Sequence, residues 1–279
     1  MQKIPNIIHF IFGLEPDFGG KPFGLMNYLA IKSAYTLNKP ARIMFYYSYL
    51  PKGYWWEMAR KYVTPVRIKA PTEIYGRPLM HFAHKADVVR LMVLIQFGGI
   101  YLDMDTICVK PFTDLLDNKF VIGFQGQPPL SHSLCNAVML SQQGALFPRV
   151  WLKNYENFRS RGRDRYWCEH SVVLPARLAA KNSMAGECTI VPYNFFHYPL
   201  YNESELEMLF REHHHYDDAY CFHLWESFSY DKYLKNLTPD YIRTYDTTYN
   251  LAARPHLSIR KMPRFVKDLN RLSGAEKVF

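Results

Sequence analysis

The sequence predicts an α/β domain of the doubly wound kind, and three features of its 279 residues carry that expectation. Strand-like and helix-like stretches alternate from the N-terminus: strand over 4–12, helix over 25–35, strand over 41–47, helix over 54–62, short strand over 66–69. The strand over 41–47 is, Arg42 apart, apolar and aromatic, as expected where helices cover both faces of a parallel sheet. Residues 88–97 are apolar nearly all the way round a helical wheel, so the helix over 83–97 should be buried. With 48% hydrophobic and 16% aromatic residues the chain can build one large core, and a second full domain is not expected.

Taken in order, Pro5 stands at the edge of the first strand and Gly13 closes it, before a polar, glycine-containing loop. Gly98-Gly99 ends the buried helix, and residues 100–109, β-branched and aromatic, read as one core strand containing Asp103 and Asp105. Beyond Lys110 the pattern loosens. A turn and short helix over 111–119 precede a strand over 120–124, a proline-containing loop over 125–133, a short strand over 136–140 and an amphipathic helix over 147–158. The basic loop over 159–165, RSRGRDR, reads as solvated surface, with a clamp for an anionic acceptor as the sharper alternative. A helix over 171–181, a strand over 189–192, an acidic helix over 203–210 and a strand over 219–225 follow. His213-His214-His215 reads as exposed polar sequence, because adjacent loop histidines point in different directions.

Charge in a core strand is costly. A half-buried carboxylate loses several kcal/mol unless it is paired or metal-bound. Asp103 and Asp105, at i and i+2, would project to one side of the strand, with Tyr101 on that same side. Hard divalent cations favour such oxygens and keep open positions for phosphate and water. An isolated DxD is more simply a pair of acids at a strand end; the buried helix, the double glycine and Tyr101 favour the cation site. The same spacing puts His223 beside Trp225, the histidine as a third metal ligand and the indole N–H as a donor to phosphate; the plainer alternative is a core tryptophan beside a satisfied histidine. Asp87 and Arg90 share a helix face, which by itself gives a weak i, i+3 ion pair.

Composition narrows the rest. Cys108, Cys135, Cys168, Cys188 and Cys221 are odd in number, with no CxxC, and read as reduced and mostly buried, as in a cytosolic protein. No stretch approaches a membrane span, and MQKIPNIIHFIFG lacks a signal-peptide layout. The formal charge is +9, from 34 Lys+Arg against 25 Asp+Glu, and the basic excess gathers after Ala253. There residues 264–272 have helical periodicity behind Pro263, so the tail reads either as a helix docked on the domain or as one lying on anionic membrane.

Four segments resemble the DxD-containing sugar transferases of the GT-A fold, the group that includes fungal α-mannosyltransferases, α-galactosyl- and α-N-acetylglucosaminyltransferases, bacterial capsule and lipopolysaccharide enzymes and, more distantly, the glucosylating toxins. They are IPNIIHFIFG, HKADVVRLMVLIQFGGIYLDMDT, LCNAVMLS and CFHLWE, the second being the specific one. The resemblance implies a mixed, mostly parallel sheet with additional helices, a GT-A domain over 1–250 and a basic amphipathic tail over 251–279. It implies that Phe12 stacks on the nucleotide base and that Asp87 and Arg90 hold sugar hydroxyls and the diphosphate side. Tyr101 would lie beside the phosphates, Asp103 near ribose and metal-bound water, Asp105 on the metal, Asn136 at the donor sugar and Trp225 over the diphosphate. Phe12 departs from the tryptophan common in the toxins and leaves base identity open; Ala86 stands where serine is frequent.

The implied activity is metal-dependent transfer, with retention, of a hexose or N-acetylhexosamine from a nucleotide-diphosphate sugar to a glycan or glycolipid hydroxyl. The expected cofactor is Mn2+ or Mg2+, and a UDP-sugar is favoured over a GDP-sugar. The expected acceptor is a glycan or lipid-linked saccharide in polysaccharide biosynthesis. The expected location is cytoplasmic, peripheral at the inner face of the membrane. Two alternatives stand beside this. LDMDTI also matches the opening motif of haloacid dehalogenase-like phosphatases, with Asp103 as nucleophile and magnesium alongside. That motif normally lies on a first strand, and no convincing downstream lysine and paired acids accompany it here. A non-catalytic basic protein binding membrane or glycan is the third reading; nucleic acid is not expected, because the acids would be unfavourable in its groove and no known module is present.

Overall fold

The computed structural model describes residues 2–128 and 133–257. In chain order the elements are β1 (Ile7–Ile11), α1 (Leu25–Asn38), β2 (Arg42–Tyr47), α2 (Tyr54–Ala59), β3 (Thr64–Arg67), β4 (Glu73–Ile74), β5 (Arg77–Pro78) and α3 (Phe82–Phe97). They continue with β6 (Gly99–Leu102), β7 (Thr106–Cys108), β8 (Phe120–Phe124), β9 (Leu134–Ser141), α4 (Leu146–Lys153), α5 (Leu174–Ala179), β10 (Thr189–Val191), α6 (Tyr193–Phe196) and α7 (Glu203–Phe210). The last are β11 (Cys221–His223), α8 (Glu226–Ser229), α9 (Pro239–Thr244) and α10 (Thr248–Ala253).

Among the described residues, seven strands form one sheet in the order β10-β8-β9-β6-β1-β2-β3. Pairing is parallel except at β9, which runs antiparallel to both β6 and β8, so the sheet is mixed and mostly parallel. Both faces are covered, and the period-2 alternation of the strands feeds two cores. Ile8, Phe10, Ile100 and Leu102 join the core with α1 and α2; Ile11, Tyr101 and Met139 join the other, with Leu94 of α3 and Trp151 of α4.

The helix carrying Asp87 and Arg90 ends as its glycines require. Gly98 caps α3 at φ 64. Gly99 has φ 102, and a Cβ there would fall 2.4 Å from the Ile7 carbonyl oxygen and 2.8 Å from His9 Nε2. His9 donates from Nε2 to the Gly98 carbonyl (2.7 Å) and lies 3.1 Å through Nδ1 from the Tyr46 hydroxyl. Burial holds its pKa down to about 4, so the ring is a neutral peg between β1 and the end of α3.

Several expectations are corrected. The strand expected over 100–109 is two: β6 stays in the main sheet, and β7 leaves it to pair antiparallel with β11, Thr106 opposite His223 and Cys108 opposite Cys221. The cause lies in the turn between them, where the Thr106 hydroxyl (2.8 Å) and N–H (3.2 Å) both donate to the Asp103 carbonyl. The aspartates therefore sit in a turn rather than on a strand face. The strand expected over 219–225 stops at His223, because Trp225 takes φ 53 and starts α8. The strand expected over 136–140 runs eight residues, all buried. The helix expected over 171–181 opens with a π-helical turn, Glu169–Val173, and the one over 147–158 tightens into a 3-10 turn after Lys153.

Residues 251–257 pack on the body of the domain, with Ala253 and His256 buried. The amphipathic stretch expected over 264–272 lies outside the described residues, as do residues 129–132 of the proline-containing loop. No described helix is long and apolar enough to cross a membrane.

Candidate active site

β1 and β6 are parallel neighbours, and the chain leaving their carboxyl ends, Phe12 after the one and Asp103 after the other, meets at a cavity of about 270 Å3. This is where open α/β sheets place ligands. Its walls bring together residues from four parts of the chain: Phe12, Phe18 and Lys21; Arg90; Tyr101, Asp103 and Asp105; and His223, Trp225, Glu226 and Phe228.

The acids converge despite the turn. Side-chain oxygens of Asp103 and Asp105 and a ring nitrogen of His223 all lie within 4.8 Å of one another. His223 Nε2 is 3.3 Å from Asp105 Oδ2, and the Glu226 N–H donates to that same oxygen at 2.8 Å. Burial pushes Asp105 up, but His223 and the Glu226 N–H more than offset it, and the carboxyl stands below its usual range. Burial acts the other way on His223 and is overcome by Asp105, so the ring holds its proton well above 6.5. Asp103 accepts from the Tyr101 hydroxyl (2.6 Å) and from Arg90 Nη1 (3.1 Å). Burial and the Asp105 charge nonetheless raise it to about 6, against Arg90.

Behind this layer Arg90 is fully engaged. Its guanidinium reaches Asp103, donates to the Asn136 carbonyl (2.8 Å), pairs with Asp87 (3.5 Å) and lies 4.5 Å from the centre of the Tyr101 ring. Asp87 accepts from the Asn136 amide at 2.7 Å. Asp87 and Asn136 do not line the cavity, whereas Arg90 does; here they hold Arg90, and Arg90 holds Asp103. Trp225 lines the cavity, but its indole N–H donates to the Pro199 carbonyl at 2.8 Å, so it is not free for phosphate. Its ring packs 4.1 Å from that of His223. Phe12 lines the cavity with Phe18 stacked on it at 5.5 Å.

Sequence reasoning missed Lys21, Glu226 and Phe18. Lys21 Nζ is 3.3 Å from the Glu226 carbonyl and 3.4 Å from its carboxylate. Burial, with Asp105 nearby, raises Glu226 to about 7, against Lys21. Lys21 follows a loop in which Phe18, Gly19 and Gly20 all have positive φ, and it lines the cavity. Also missed were Cys135 and His197, buried behind His223. Burial raises the Cys135 thiol, but the imidazoles of His197 and His223 bring it down to about 5. The basic loop over 159–165 stays irregular, with Arg159 paired to Glu169 at 2.6 Å; residues 213–215 are largely exposed.

The carboxylate pair and histidine fit a hard divalent cation: two crowded, half-buried acids and one imidazole present three donors around one point. Residues 30–121 match the model of the glycosyltransferase sugar-binding region containing a DXD motif. Glucan organizing enzyme 1 of Cryptococcus neoformans is 37% identical over 266 residues, 91% of this chain and 71% of the relative. Among solved structures, the PaToxG glycosyltransferase is 17% identical with TM-score 0.43, covering 64% of this chain and 69% of its own. Mouse xyloside xylosyltransferase 1 is 10% identical with TM-score 0.47, covering 77% and 96%.

Proposed function

The chain belongs to the glycosyltransferases whose sugar-binding region contains a DXD motif, and we propose that it moves a hexose or N-acetylhexosamine from a UDP-sugar to a glycan or glycolipid hydroxyl with retention of configuration. The observation that carries this reading is the convergence of Asp103, Asp105 and His223 at the mouth of the cavity. A divalent cation, Mn2+ or Mg2+, would be held by these three and would neutralise the charge that builds on the departing diphosphate.

The chain's own residues do the remaining work. Arg90 and Tyr101 fix the Asp103 carboxylate, one by charge and one by a short hydrogen bond. Lys21, paired with Glu226, adds a cation to the cavity lining, where it can attract an anionic group. Phe12 and Phe18 supply an apolar wall for the base. Retention without an assigned protein nucleophile fits a front-side displacement, in which the leaving phosphate takes the proton of the acceptor hydroxyl. Family membership sets aside the phosphatase and the purely binding alternatives.

A screen of nucleotide sugars with Mn2+ for slow hydrolysis tests the proposal. One donor should be cleaved, and Asp105→Ala should lower the rate by about 100- to 1,000-fold, the usual cost of removing an electrostatic stabiliser of a leaving group. Indifference to every nucleotide sugar, with cleavage of phosphomonoesters, would contradict it.

A further inference from the structure

His223 belongs to a second group of donors as well as to the carboxylate site. Cys135 on β9, His197 just after α6 and His223 on β11 place their sulfur and ring nitrogens within 4.8 Å of one another, all three side chains buried. Cys135 is 6% exposed, His197 0% and His223 7%. Neither ring nitrogen of His197, nor His223 Nδ1, meets hydrogen-bond geometry with any partner; the Cys135 thiol is the polar group that both rings act on. Three unsatisfied nitrogens around one thiol are unusual in a protein interior, where buried polar atoms are nearly always paired. The backbone also makes room for them. Gly123 lies opposite Cys135 in the β8–β9 register, and a Cβ on it would come 3.2 and 3.3 Å from the His197 ring.

From this arrangement we infer that Cys135, His197 and His223 form a second cation site, for a thiophilic ion such as Zn2+, back to back with the carboxylate site and sharing the His223 ring. The donor set differs in kind from the first. One sulfur and two imidazoles select Zn2+ or Cu+, whereas Asp103 and Asp105 select a hard ion. His223 is common to both groups: its Nε2 lies 3.3 Å from Asp105 Oδ2, and its Nδ1 has no hydrogen-bond partner. An ion here would tie β11, which belongs to the small β7–β11 sheet, to β9 of the main sheet, and so fix His223 relative to the turn bearing the aspartates.

The test is spectroscopic and needs no nucleotide sugar, so it succeeds or fails independently of the transferase reading. Metal-stripped full chain is titrated with Co2+ under a thiol-free reductant. A thiolate-to-cobalt charge-transfer band should appear in the wild type and persist in Asp103→Asn, which cripples only the carboxylate site. It should vanish in Cys135→Ser and in His197→Gln, with folding checked by circular dichroism. Because those variants disturb a buried cluster, the wild type loaded with Zn2+ is also read by X-ray absorption, where a sulfur at about 2.3 Å beside nitrogens at about 2.0–2.1 Å is expected. Absence of the charge-transfer band in the wild type, its survival in Cys135→Ser, or a zinc shell of light atoms alone overturns the inference.

Discussion

Asp103 accepts from Tyr101 and Arg90 while standing beside Asp105, and the balance of those neighbours sets its protonation. Its carboxyl is raised from 3.8 to about 6. The sign follows directly: a raised acid stabilises the fold fully below 3.8, in its protonated form, and that contribution is lost as pH rises through 6. The ionised form above 6 is the one a cation needs. His223, held protonated by Asp105, must also give up its proton if it is to ligate through Nε2. Mn2+ affinity, followed by the electron paramagnetic resonance of free Mn2+, should therefore fall more steeply below pH 6 than above it, by about a further tenfold per unit. A slope unchanged through pH 6 would remove Asp103 from the ligand set. Residue type and spacing brought Asp103, Asp105, Arg90, Tyr101 and His223 forward as candidates, and all five line the cavity. Lys21 and Glu226 were not brought forward, because they meet across 205 positions and neither belongs to a periodic pattern.

At the level of elements, the site depends on β6 ending where it does. β6 is already paired on both edges, with β1 and β9, and Gly99 lets it start against β1 with no room for a side chain. Gly99→Ala should force a Cβ against the Ile7 carbonyl and the His9 ring at a positive φ, costing about 1–3 kcal/mol from strain alone. A urea titration should show a lowered midpoint with an unchanged slope; a midpoint equal to the wild type would mean that the β1–β6 approach is looser than described. The glycine pair and the buried helix before it were plain in the sequence. The break of the strand at the aspartates was not. Residue type and alternation run on through 100–109, and only the Thr106 hydrogen bonds to Asp103, together with pairing to a segment more than a hundred residues later, move β7 into another sheet. The same limit hid the full length of β9, whose eight buried residues carry no alternation to mark its ends.

Over the whole molecule, parallel strands deliver two chain segments to one rim of the sheet, and the C-terminal third folds back to complete the cavity with His223, Trp225 and Glu226. The α/β class was legible because alternating strands and helices leave few topologies for a mostly parallel sheet. The antiparallel insertion of β9 was not, since nothing local to a strand states its direction. The formal charge of +9 suits an enzyme whose donor is a diphosphate. All of this rests on a cation gripped by the turn at Asp103 and Asp105 and carrying the diphosphate of the donor. Calorimetry with the nucleoside diphosphate of whichever sugar donor is cleaved reads that directly, with Mn2+ or with a chelator, in the wild type and in Asp105→Ala. Binding should require Mn2+ in the wild type and be lost in the variant; equal binding of the diphosphate under chelator would contradict the account.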